Sequence, residues 1–242
     1  MTATATIIFL VWALAAALLL SDLRHSTGFF PPKIHSPYGL LSLFPALASF
    51  LFIAPGCLPP LCNSAWGAIA LLACLFCSLV LEKQYRTLMP LCLAGLACAG
   101  IFCFAWYRGM PGSPLNLGSF AAMPVWQVAT WPERPALFLL AVGFGTAVRW
   151  FAIQEATAAP LVSTLRLMAL CAVFVSFFLS WSVAPYLSWP DTLVASVDFI
   201  FFWGKVVACM YCIPSLPCPS AAMPLSFFCS ATGLALVLCQ IA

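Results

Sequence analysis

The chain is built of long, continuously apolar runs separated by short polar or proline-rich breaks, rather than of segments in which apolar and polar positions alternate. The long runs cover 3–20, 65–81, 88–106, 135–153, 167–186, 194–212 and 223–242. Each is close to the ~20 residues a helix needs to cross the hydrocarbon layer, whereas a membrane barrel would show short alternating segments. A further run, Leu40 to Ala54, is shorter, is interrupted by Pro45 and leads into Pro55, Gly56, Pro59 and Pro60. A straight span there would lose backbone hydrogen bonds at the prolines, so this run is expected to be interfacial or re-entrant. The pattern predicts an all-α, polytopic membrane bundle of about seven to eight transmembrane helices, with residues 1–242 forming a single integral membrane domain.

The breaks are informative too. The stretch after the first run holds Asp22, Arg24, His25, Lys33 and His35 and reads as a loop at the membrane surface. Glu82 to Arg86 form a charged hinge, and 108–134 is a Pro/Gly-rich connector whose Trp126 and Trp131 suit the interface, where indoles settle. The first run has neither a basic leader nor a cleavage site followed by polar sequence, so it reads as a retained span. Such a span is expected of an organelle-encoded or bacterial inner-membrane protein. No inverted repeat of the transporter kind is visible.

Composition closes off other classes. Of the 242 residues 64% are hydrophobic and 6% charged, far below the ~25% charged residues of a soluble domain. The net charge of +3 is scattered, with no basic patch for nucleic acid. The thirteen cysteines lie mostly inside apolar runs, where they act as small hydrophobes. Cys74/Cys77 and Cys209/Cys212 have C-x-x-C spacing but no second pair or histidine beside them, so no metal site is expected. No nucleophile with its base and no phosphate-binding glycine loop is present, which points away from an autonomous enzyme. The candidates for chemistry are the ionisable residues in or beside apolar runs, Glu155, Arg166, Asp198 and Lys205. Each costs roughly 2.5–3.5 kcal/mol to insert and so needs a partner or a watery cavity. Glu155 and Arg166 could simply reach the headgroups from helix ends. Asp198 and Lys205, two turns apart and able to share a face, could pair with each other or with Arg166. Alternatively all four belong to a proton or ion path, with Asp198 and Lys205 facing the bundle interior.

Several segments resemble the NADH dehydrogenase subunit 1 family, the quinone-facing membrane subunit of respiratory complex I. SPYGLLSLFPALASF is similar to that family's GPYGLLQPFADAxKLF surface helix, with Asp22 and Arg24 matching an acidic-basic pair before it. Gly118, Ser119 and Phe120 resemble a GSF after the fourth span, and WFAIQEATAAPL resembles WFISxLAETNRxPFD. In the latter, Glu155 and Pro160 keep the family separation, with Trp150 and Phe151 upstream. Lys205 stands where a lysine occurs in the penultimate span. The order of these landmarks covers most of the chain. The departures fall in one place: the arginine of ETNR would lie on Ala158, the aspartate of PFD on Val162, and the acidic loop that follows, with its ExELVSG pattern, is absent.

The resemblance implies a subunit lining the quinone-access chamber and contributing to the proton path at the junction with the peripheral arm. Quinone would be met by Tyr38, Gly39, Leu41, Phe44 and Phe50, and the proton path would comprise Asp22, Arg24, Glu155, Arg166, Asp198 and Lys205. Ubiquinone is then the substrate, with no metal or flavin in this chain, and the partners are lipid, quinone and the other membrane and peripheral subunits. The implied location is the mitochondrial inner membrane, or alternatively a bacterial cytoplasmic membrane. A rival resemblance is to the proton-channel subunit a of ATP synthase. PLVSTLRLMAL places Arg166 six residues after Pro160, as that family places its essential arginine, with Gln240 the only polar candidate on the last helix. A non-catalytic membrane scaffold is the third class.

Overall fold

A computed structural model describes residues 3–25, 37–53, 65–110, 117, 120, 125–155, 160–182, 189–215 and 221–241. The principal helices are α1 (Ala3–His25), α2 (Pro37–Ala48), α3 (Gly67–Leu81), α4 (Leu88–Tyr107), α5 (Arg134–Gln154), α6 (Pro160–Phe178), α7 (Asp191–Ser215) and α8 (Ala222–Ile241). There is no strand among the described residues. Six helices are long and apolar enough to cross a membrane, and Leu40–Phe52 and Gly67–Leu81 are shorter apolar helices. The protein is therefore an all-α, multi-pass membrane helix bundle.

Three boundaries differ from the apolar runs. Helix α1 continues to His25, so Asp22 and Arg24 lie on its last turns and not in a loop. A helix satisfies its own backbone and can carry on beyond the hydrocarbon. Helix α6 starts at Pro160 and ends at Phe178, earlier than the 167–186 run. Proline suits a first helical turn because its missing N–H is not needed there. Helix α3 has 15 residues, about 22 Å of rise, short of a full crossing.

Helix α6 is central: 94% of its span is buried, and it packs on α1, α2, α5 and α7. It is apolar nearly all the way round, which is the pattern of a helix surrounded by others. Helices α4, α5 and α8 form a second, tightly packed group. Gly143 on α5 lets α8 approach so closely that a Cβ there would lie 2.3 Å from Ser230 Oγ and 2.8 Å from its backbone nitrogen. Ser226 Oγ donates to Gly143 O across the same contact at 2.8 Å. Small residues with a hydroxyl bond across the seam are how helices associate in lipid, where apolar burial gives no advantage.

Two helix ends place charged residues. Helix α3 closes with Lys83 N–H donating to Val80 O and Gln84 N–H to Leu79 O, each at 3.0 Å, with Lys83 at φ 58°. This paired closure holds Glu82 tight against the helix end. Helix α4 closes the same way with a glycine in the left-handed position, Gly109 at φ 60°. Just before it, Arg108 pairs with Glu133, joining the two ends of the 108–134 connector. Thr130 and Glu133 form a reciprocal cap at the start of α5, with Thr130 N–H donating to Glu133 Oε2 at 2.7 Å. Trp106 and Trp131 stand exposed at this end, as expected of an interfacial belt.

Candidate functional site

The largest fully buried side chain among the described residues is that of Arg166, 0% exposed in the second turn of α6. Three helix ends meet around it. Its Nη1 donates to Glu155 Oε1 at 2.5 Å, from the residue that caps the C-terminus of α5. Its Nη2 donates to Glu82 Oε2 at 2.6 Å and to Ser78 O at 2.9 Å, both at the C-terminal end of α3. Its Nε donates to Ser78 Oγ at 2.9 Å. The C-terminal ends of α3 and α5 carry partial negative charge, which favours a cation between them, and the guanidinium fork serves both carboxylates at once.

Two glutamates share one arginine, so the fully ionised site is one charge negative. The buried Oε2 of Glu155 receives no well-formed hydrogen bond among the described residues, although the Ser163 hydroxyl lies close enough to act on it. An unpaired, buried carboxylate oxygen is costly, and a proton on it removes the cost. Burial accordingly pushes the Glu155 carboxyl above the usual range, an effect opposed by Arg166 and Ser163 and reinforced by Glu82. Stability contributed by protonated Glu155 is complete below the ordinary glutamate pKa of about 4.3 and is lost as pH rises through the raised value. Unfolding midpoints in detergent should therefore fall as pH rises from about 4.3 toward the raised value and level off beyond it, and Glu155→Gln should flatten the fall.

The site connects to α2. Ser78 Oγ, which accepts from Arg166, itself donates to Ser42 O at 2.8 Å. Helix α2 buries Ser42 and Ala46 and leaves Leu40, Leu41 and Phe44 exposed, Leu41 by 52% and Phe44 by 70%. Phe50 is not on that outer face. It is fully buried in a 3-10 turn after α2, stacked on Trp203 at 5.9 Å beside Phe9, Trp12 and Phe199. The expected quinone-lining set is thus divided, with Leu41 and Phe44 on a surface and Phe50 in the core. Tyr38 and Gly39 lie on the first turn of α2, and their side chains are outside the described residues, as is that of Arg24. Asp22 is half-buried on α1. Gly118, Ser119, Ala158 and His35 also lie outside the described residues. Phe120 is buried against Phe102 and Phe177, and Val162 is buried on α6.

Asp198 and Lys205 are not brought to Arg166. Lys205 Nζ donates to Leu179 O and Trp181 O, each at 2.7 Å, and lies 4.6 Å from the Trp181 ring centroid and 4.7 Å from that of Phe201. Asp198 Oδ2 accepts from Ser182 Oγ at 2.6 Å, and its charge acts on Lys205. These contacts gather just beyond the C-terminal end of α6, about 20 Å along the helix from Arg166. Sequence reasoning reached Arg166 and Glu155 but not Glu82, Ser78 or Ser42. Glu82 reads as part of a solvated hinge, and a serine in an apolar run carries no signal of its own. No group of three or more potential metal ligands converges among the described residues. No protein-family model matches this sequence, and neither the curated proteins nor the solved structures contain a match to it.

Proposed function

We propose that this chain is a membrane subunit of a respiratory NADH:ubiquinone oxidoreductase of the complex I kind, lining the quinone-access chamber and supplying an acid site to the proton path beside the peripheral arm. The observation that carries this reading is the continuous hydrogen-bonded line from α2 to a buried acid: Ser42 O, Ser78 Oγ, Arg166, Glu155. The helix that resembles a quinone-entrance helix is thereby tied to the residue that resembles a proton-path glutamate. The exposed Leu40, Leu41 and Phe44 offer an apolar surface to a quinone tail or a neighbouring subunit. Ubiquinone is the substrate, the partners are the remaining subunits and lipid, and the setting is a mitochondrial inner or bacterial cytoplasmic membrane. The ATP synthase reading needs Arg166 to face a partner ring, and its complete burial between two glutamates weighs against that. In the purified complex, Glu155→Gln is expected to cut quinone-dependent turnover by about a hundredfold, the lower end of what a proton-transferring group contributes. Assembly should persist, because Glu82 and Ser78 still hold Arg166. Unchanged turnover and unchanged quinone-site inhibitor affinity would remove the proposal.

A further inference from the structure

The helix ends sort onto two faces. Ser42 meets Ser78 near the C-terminal end of α3, while the 3-10 turn Ser49–Phe52 also packs on α3. Because α3 ends at Leu81, a parallel arrangement would carry that turn past the helix end, so α2 and its 3-10 turn run antiparallel to α3. The pair forms a hairpin that begins and ends on one face. That face then collects the C-terminal ends of α1, α3, α5 and α7 and the N-terminal ends of α2, α4, α6 and α8. The far face holds the first residues of α1, the 108–134 connector and the end of α8. Gln240 Nε2 on α8 donates to Pro132 O of the connector at 3.1 Å, which ties that end of α8 to the far face.

Once sorted in this way, the basic residues are unevenly divided. Among the described residues, Arg24, Lys83, Arg86, Arg149 and Arg166 lie toward the hairpin face, whereas Arg108 and Arg134 lie on the far face and Lys205 binds the carbonyls at the far-side end of α6. Lys/Arg bias of this kind marks the cytoplasmic or matrix side. Reading α3 as a separate full span reverses the parity of what precedes it and hides the bias. The Arg166 site belongs to the hairpin face, since α3 and α5 end there and α6 starts there. Beyond Arg166, helix α6 presents Leu167 to Val175, a stretch buried at every position but the half-buried Phe174, with no ionisable group but the Cys171 thiol and about 13 Å deep.

We propose that the Glu155–Arg166–Glu82 site exchanges its proton with the cytoplasmic or matrix face alone, and that the apolar middle of α6 seals it from the opposite face. Protonation takes the site from one net negative charge to none, with the proton on Glu155 drawn from water at the hairpin face. The groups acting on Glu155 are Arg166 and Ser163 of α6 and Glu82 of α3. This rests on the reading of Glu155 as an exchangeable acid, but not on the identity of the complex.

The test uses the full chain, tagged at both ends, in sealed vesicles whose internal and external pH are set separately. Dicyclohexylcarbodiimide, which adds to protonated carboxyls in apolar surroundings, is the probe, and modification of Glu155 is read by mass spectrometry with Glu155→Gln as the blank. Both tags should be digested from the same side. Above the titration midpoint, labelling should fall about tenfold per pH unit when pH rises on the face opposite the tags, and stay constant when pH rises on the tag face. Tags on opposite faces, labelling that follows the tag face or both faces, or no labelling of Glu155 at any pH would overturn the proposal. If one-sided labelling holds while Glu155→Gln leaves quinone turnover intact, the complex I reading fails and one-sided loading stands.

Discussion

Arg166→Met is expected to lower the stability of the detergent-solubilised protein by about 3–5 kcal/mol, the range seen when one partner of a buried charge pair is removed. The guanidinium is wholly buried and donates to Glu155, Glu82 and both oxygens of Ser78. Methionine fills similar volume but leaves two glutamates without their cation and Ser78 O without that donor. Arg166→Lys should recover only part of the loss, because a single ammonium on a flexible stem cannot reproduce the fork that reaches Ser78, Glu82 and Glu155 together. Removing the acid as well should help. The pair Arg166→Met with Glu155→Gln is expected to be more stable than Arg166→Met alone, with a coupling of about 0.5–3 kcal/mol typical of residues in one network. Unfolding midpoints of the four proteins of this cycle decide it. A single Arg166→Met variant as stable as the wild type would mean that the arginine does not hold the three helix ends together.

The apolar runs already contain the bundle, because in lipid the length of a run nearly dictates a helix. What they do not contain is where helices start and which polar atoms meet. Ser163, Thr164 and Arg166 make the first turns of α6 look unlike a span, yet these turns are buried, because the partners of Arg166 come from residues 11 and 84 positions away. No periodicity records such a meeting. Glu82 looks like any hinge carboxylate until the closure of α3 turns it inward toward Arg166. The connector is a different case. Thr130 and Glu133 have the spacing of a reciprocal helix cap directly before an apolar run, a signature readable in sequence, and Glu133 then also receives Arg108. The short run broken by Pro45 anticipates α2 as a distinct short element, to which the resemblance adds only the expected lining residues. The resemblance misplaces Phe50, because side-chain direction changes where the α-helix tightens into the 3-10 turn at Ser49.

Lys205→Met is expected to destabilise the fold by about 1–3 kcal/mol and to loosen residues 179–182, without altering turnover per folded molecule. The carbonyls at a helix C-terminus lack intrahelical donors and carry the negative end of the helix dipole. At the end of α6, Trp126 Nε1 donates to Phe178 O at 3.0 Å, and Lys205, reaching across from α7, donates to Leu179 O and Trp181 O. The ammonium thus closes the central helix from a neighbour, with the Trp181 and Phe201 rings beside it and Asp198 supplying the opposite charge. Methionine retains the packing against the rings and loses both hydrogen bonds. Amide hydrogen exchange should then rise at Leu179 to Ser182 and leave Glu155 and Arg166 unaffected, because they stand at the other end of α6. A variant with wild-type stability and exchange but lost proton-linked turnover would return Lys205 to the proton path, as its place in the penultimate span implies.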